Sequence, residues 1–309
     1  MDPEQDGAAG KAGAGERGGP AWGRWGEDDE RGALNLLTPE RVVAAAGRVR
    51  TGRVYPLGLP IQRDGVPCYP WRGAPYRLTM YNEQDATARG SDVGANADIL
   101  MAATHNGTHL DALSHVFAGG SMYNGHPAAS FTPGSGAARC GIEKVGGVVA
   151  PAVLLDLAAG QGVPWLAPGT GITRQMIVEA ERRQGVRIGA GDVVLLHTGW
   201  MRWYLEEAER GGAPSLDVQP GLGRDGAGLL AERDVSLVGA DNLAVEVLSP
   251  SAPVMDLHVE MIVRRGITFL EGLDLRAPVD ASVAQGMLVL APLRITGGSG
   301  SPVNPLLVV

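Results

Sequence analysis

Apolar side chains fall in short runs along this chain, set apart by glycine, proline and polar residues. Asp192-Val193-Val194-Leu195-Leu196-His197 has the length and β-branching of an interior strand. Residues 153–156, 235–241, 267–271 and 287–291 read the same way, the last ahead of a Gly/Ser/Pro-rich tail. Ile172, Met176, Ile177 and Ala180 recur at helical spacing and predict a helix over 173–184; a second is predicted over 257–264. Thr38-Pro39-Glu40-Arg41, followed by Val42, Val43 and three alanines, predicts a helix capped by Thr38 with Pro39 in its first turn. Residues 186–191 read as a turn, and 53–57 as the start of an extended segment. Strands apolar on both faces alternate loosely with helices. The expected fold class is therefore α/β: a single domain with a buried mixed sheet flanked by helices.

Composition narrows the picture. The 309 residues include 46 Gly and 21 Pro and few aromatics, which favours a loop-rich fold over a helical bundle. The net charge is −8, and no Lys/Arg stripe stands out, so neither nucleic acid nor an anionic membrane is an expected partner. The longest apolar runs are too short to span a bilayer, and the one at 147–155 is broken by Pro151. Cys68 and Cys140 stand alone, so two buried thiols in a reducing, cytoplasmic setting are expected rather than a disulfide or a zinc finger. Residues 1–20 lack an apolar core of signal-peptide type and read as a disordered arm ahead of a domain over 21–309. Gly297-Gly298-Ser299-Gly300-Ser301 has neither the Lys nor the following helix of a phosphate loop and reads as a flexible turn. There is no Gly-x-Ser-x-Gly elbow.

The chemistry concentrates in eleven residues, which hold His105, His109, Asp111 and His115. Imidazole nitrogen with carboxylate oxygen suits zinc, manganese or iron, and three protein ligands leave a position for water. Asn106-Gly107-Thr108 is a poor helix interior, so a tight turn is expected to fold the side chains around one ion. Gly107 would supply the unusual backbone angles, and Thr108 would hydrogen-bond the ligands. Elsewhere, Trp25, Trp71 and Tyr123 are candidate aromatic walls for a planar or cyclic substrate. His126 and His197 are candidate pocket residues, and Asp241 is either near the site or a turn cap.

His-x-Gly-Thr-His-x-Asp-x-x-x-His resembles the signature of the putative cyclase family, which includes kynurenine formamidases and isatin hydrolases. Leu113 stands where that pattern often has proline. The likeness extends to Trp25-Gly26-Glu27-Asp28-Asp29-Glu30 and residues 32–41, to 188–200, and to the ending at 291–297 and 300–305. It implies a swivelling β/β/α-like fold, a divalent metal (Zn²⁺ or Mn²⁺, one or two ions) and a homo-oligomer. His105, His109 and Asp111 match positions that bind a first metal. His115 matches a catalytic acid/base or a ligand to a second ion. His258 and Glu271 match a later pair that completes the site, as ligands or as a proton relay.

The expected function is hydrolysis of a C–N bond (formamidase-like) or a C–O bond in a small carbonyl compound: an amide, cyclic amide or lactone. Cyclisation or dehydration of a biosynthetic intermediate is the alternative, and a non-catalytic binding protein on the same scaffold is a third.

Overall fold

Strands rich in Val and Leu settle side by side because each has apolar side chains for two cores, one on either face. The computed structural model describes residues 19–309 apart from Val254, so the arm expected over 1–20 lies outside the described residues except for Gly19 and Pro20. Nine strands build the main sheet: β1 (Val54–Pro56), β2 (His109–Asp111), β3 (Val148–Asp156), β4 (Val193–His197), β5 (Leu237–Ala240), β6 (Thr268–Glu271), β7 (Gln285–Leu290), β8 (Gly300–Pro302) and β9 (Leu306–Val308). Their order is β1-β9-β7-β3-β4-β5-β6-β2-β8. The central four, β3 to β6, run parallel, and the strands outside them pair antiparallel.

Alternation divides the side chains. Val153, Leu155, Val194, Leu196, Val238 and Phe269 enter one core with Ile177, Leu230, Met261 and Ile262. Ala152, Leu154, Val193, Leu195, Leu237 and Leu270 enter the other with Leu34, Leu57, Leu288 and Leu307. The helices α1 (Pro39–Ala46), α2 (Arg174–Gln184), α3 (Trp200–Glu209) and α4 (Arg224–Glu232) flank this sheet. Thr173 caps α2 by accepting from Met176 N, whereas Thr38 makes no side-chain cap bond to α1. Arg41 and Arg48 instead tie α1 to the sheet, meeting the buried Asp192 at 2.5 and 3.2 Å.

Three expectations change. The tail is no tail: β8 and β9 lie in it, because its few apolar residues pair with strands far back in the sequence. The helix over 257–264 is an α turn at Asp256–His258 running into a π turn at Val259–Val263, a distortion that often marks functional sites. Cys140 is buried, but Cys68 is only half-buried; both thiols are free. No helix among the described residues is long and apolar enough to cross a membrane.

Outside the sheet, Tyr76–Tyr81 and Ala97–Met101 form an antiparallel hairpin almost wholly exposed to solvent.

Candidate metal centre

The parallel strands end in polar residues. Asp156 and His197 close β3 and β4, Asp241 follows β5, and Glu271 closes β6. Carboxyl ends of such strands are where α/β sheets hold their ligands. The site forms at Glu271, where β2 lies antiparallel to β6 and sets His109 directly opposite it. The two-residue period of β2 points His109 and Asp111 to one side and Leu110 to the core.

His105 arrives from the turn that feeds β2. Gly107 has φ +62, a conformation that favours glycine, and its carbonyl meets His109 Nδ1 at 2.9 Å, leaving Nε2 for the site. Gly300, opposite Asp111, is small for a reason: a Cβ there would lie 2.6 Å from His105 Cε1. Ser299 Oγ stands 3.0 Å from His105 Nε2 and so directs Nδ1 inward. The stretch expected to be a mere flexible turn thus shapes the pocket of a ligand. Thr108 makes no side-chain hydrogen bond to the imidazoles. Its hydroxyl donates to Gly272 O at 2.6 Å and accepts from Leu59 N at 2.8 Å, fastening the turn to its neighbours.

His105 Nδ1 is 2.9 Å from Asp111 Oδ1 without the alignment of a hydrogen bond, and His109 Nε2 is 3.2 Å from Glu271 Oε2. His258 Nε2 lies 3.3 Å from Glu271 Oε1 and 3.8 Å from Asp111 Oδ2. His105 Nδ1, His109 Nε2, both Asp111 oxygens and Glu271 Oε1 are buried with no hydrogen-bond partner. Buried polar atoms are seldom left unpaired, and five converging on one place fit a cation. The donors fall into two overlapping sets, His105–Asp111–His115 and His109–Asp111–Glu271, which share Asp111. His105 and His109, expected to serve one ion together, are in different sets. This donor set fits a divalent metal.

Electrostatics agree. Burial would raise Asp111, but the facing imidazoles of His115, His105 and His109 hold it far below the usual carboxylate range. Burial also opposes charge on His258, yet Glu246 and Glu271 outweigh it and push its pKa up to about 10. His115 goes the other way: burial, helped by His105 and His258, lowers it to about 4 despite Asp111 and Glu271. Burial opposes charge on His109 as well, but Glu271 and Asp111 raise its pKa overall, so positive charge is favoured beside the buried carboxylates, where a cation would sit.

Glu246 is the participant that sequence reasoning missed. Its Oε1 is 3.1 Å from His258 Nδ1, and its Oε2 accepts from Leu257 N at 2.7 Å. It fixes the ring so that Nε2 faces the cluster, as carboxylates do behind metal-binding histidines. Val245 before it has φ +53, a costly angle for a β-branched residue and of the kind held at functional sites. A lone Glu within the apolar run 243–248 was the available signal.

A cavity of about 440 Å³ opens over the cluster, with His115, His258, Glu246 and Glu271 in its floor and Tyr69, Trp71 and Arg72 in its wall. Trp71 therefore stands where a wall was expected. Trp25, Tyr123, His126 and His197 do not line it. Tyr123 is fully buried and donates to Asp29 at 2.9 Å; His126 Nε2 meets Asp29 O at 3.1 Å. Trp25 packs against the core beneath Arg24. His197 Nδ1 is held by Asp156 at 2.9 Å, and Asp241 caps Thr198 and Gly199. Tyr123, His126 and His197 are held away from the cavity by partners that the sequence places far away.

A family model described as putative cyclase matches residues 55–247. The chain belongs to the putative cyclase family. The match spans His105 to His115 and Glu246, while His258 and Glu271 lie beyond it. Among solved structures, one described as a novel cyclase is 32% identical, with a TM-score of 0.85 over 93% of this chain and 99% of that one. Isatin hydrolase A from Ralstonia solanacearum is 22% identical, with a TM-score of 0.60 over 87% and 96% of the two chains. A potential metal-dependent hydrolase with cyclase activity is 22% identical, with a TM-score of 0.52 over 82% and 98%. At that identity the last two speak for the fold alone. No curated protein sequence matches.

Proposed function

We propose that the protein is a metal-dependent hydrolase that cleaves the C–N or C–O bond of a small amide, cyclic amide or lactone. The observation that carries this reading is the pair of donor sets sharing Asp111, each of which presents one residue, His115 or Glu271, to a substrate-sized cavity. His105, Asp111, His109 and Glu271 would hold one or two ions, with His258 beside them; nitrogen and oxygen donors suit zinc or manganese. When bound, such an ion supplies Lewis acidity that polarises a carbonyl and brings the pKa of water towards neutrality.

The chain's own part is proton handling and placement. His115 is the most exposed of the motif histidines, at 18% of its side chain, and its low pKa keeps it neutral at pH 7. Its Nε2 takes a proton from water as the oxygen bonds to the carbonyl carbon, then passes it to the departing nitrogen or oxygen. Water is consumed, and an acid and an amine or alcohol result, as two products from an open-chain substrate and as one ring-opened product from a cyclic amide or lactone. Glu246 acts through His258 and keeps that ring in place.

The test is to assay the metal-loaded protein on N-formyl aryl amines, isatin-type lactams and simple lactones. Hydrolysis of one class, lost with a chelator and restored by Zn²⁺ or Mn²⁺, is expected. Full metal occupancy with no bond cleaved would sink the hydrolase reading and favour cyclisation.

The partner we propose is a second copy of this chain, docked through the exposed hairpin, and the unpaired thiols favour a cytoplasmic setting. Register places Tyr76 opposite Met101 and Leu78 opposite Ile99, so with Met80 one face is apolar; the other carries Arg77 paired with Asp98. These five apolar residues are each 44% to 63% exposed. That leaves roughly 500 Å² of side chain to cover, a large part of the ~800 Å² that each partner gives a standard interface. A lone two-stranded hairpin is marginal in water, which a partner would remedy. Light scattering should find a dimer at micromolar concentration, and Leu78→Asp with Ile99→Asp should yield a folded monomer. A monomeric wild type would end this proposal.

A further inference from the structure

Tyr69 belongs to the cavity wall but to none of the donor sets. It opens the short turn Pro70–Arg72, and its ring is held from two sides. Trp71 stacks on it at 5.9 Å between centroids, and the Arg72 guanidinium lies 5.5 Å from its ring centre. Arg72 is itself anchored, because it donates to His105 O on the metal-binding turn. The phenol is thus fixed relative to the ligands by a chain of contacts that starts at His105.

The hydroxyl has an unused proton. Among the described residues its sole hydrogen-bond partner is Gln219 Nε2, at a long 3.5 Å, and that nitrogen is a donor. Gln219 cannot turn its oxygen to the phenol. Its Nε2 already donates to Leu216 O at 2.7 Å, and its Oε1 accepts from Leu243 N at 2.9 Å, so a flip would break both bonds. The buried amide therefore faces the phenol oxygen with a donor, which leaves the O–H to find its acceptor elsewhere. Burial, with the Glu271 carboxylate adding to it, pushes the Tyr69 pKa up to about 12, so the proton is present at any ordinary pH.

We infer that the Tyr69 hydroxyl is a hydrogen-bond donor to the substrate's carbonyl oxygen as that oxygen gains negative charge. The inference rests on the hydrolase reading for its reaction, but the donor itself is a property of the cavity. A donor held in place before the reaction stabilises developing charge without reorganisation. Tyr69 would so set how a carbonyl compound lies across the floor formed by His115, His258 and Glu271.

Tyr69→Phe keeps the ring, its stack on Trp71 and its contact with Arg72, and removes the one loosely held atom. The variant should fold as the wild type does, with melting temperature and metal content unchanged. Its kcat on whichever substrate the wild type hydrolyses should fall about tenfold to a hundredfold with KM nearly constant. A second arm needs no turnover: calorimetric titration of the zinc-loaded proteins with acetohydroxamic acid, whose charged oxygen stands in for the substrate's. Loss of one hydrogen bond to a charged oxygen should weaken its affinity about tenfold or more in the variant. Equal affinity in the two proteins overturns the assignment, whatever the kinetics. Should the wild type hydrolyse nothing while the affinities still differ, the hydrolase reading falls and the donor stands.

Discussion

Replacing Asp111 by asparagine should empty the site of metal altogether, whether it holds one ion or two. Asp111 is the one residue common to both donor sets, it is fully buried, and neither of its oxygens accepts a hydrogen bond from the protein. A carboxylate in that position is costly unless positive charge faces it, and the imidazoles of His115, His105 and His109 are the groups turned towards it. Asparagine has nearly the same shape but no charge, so the loss is electrostatic rather than steric. Metal analysis after dialysis should find less than about a tenth of wild-type content, and turnover should fall by about a thousandfold or more. Stability gives an independent reading. Saturating metal at about a thousand times its Kd should stabilise the wild type by about 4 kcal/mol and leave Asp111→Asn unmoved. An ion retained at full stoichiometry by the variant would remove Asp111 from the centre of the site.

That residue was legible because His-x-Gly-Thr-His-x-Asp crowds its donors into adjacent positions, where no tertiary information is needed. Most of the parallel strands were legible for a related reason. A run such as Val193–His197, buried on both faces, writes its environment directly into its composition. What stayed hidden depends on partners distant in sequence. β2 is only three residues long and becomes a strand because Glu271 and Pro302 flank His109 from opposite sides. β9 extends the sheet by lying between β1 and β7, near the two ends of the domain.

The same logic explains why two pocket candidates lie away from the cavity. Tyr123 and His126 have the chemistry of a substrate wall, but Asp29 claims both of them, and nothing local announces that pairing. Conversely, Glu246 and Tyr69 act through a ring or a cavity that only the fold assembles. The hairpin escaped notice because its strands bury nothing within the chain, so no core contact sets their pattern.

His115→Ala decides between the two roles open to the last histidine of the motif. Its Nε2 is 4.0 Å from Asp111 Oδ1, farther than the 2.9 Å of His105 Nδ1, and its ring stacks on His105 at 3.9 Å between centroids. Unlike His105 Nδ1 and His109 Nε2, its nitrogens are not among the buried atoms left without a partner. That position suits a group that exchanges protons with the cavity better than one committed to an ion. Loss of a general acid–base residue typically costs 10²–10⁴-fold. The variant should accordingly keep wild-type metal content and melting temperature while kcat falls by about that factor. Small imidazoles added to the assay should restore part of the lost rate, since the alanine leaves room where the ring stood. A fall in bound metal to match the fall in rate would make His115 a ligand instead, and the proton would then need another carrier, with His258 the nearest imidazole on the cavity floor.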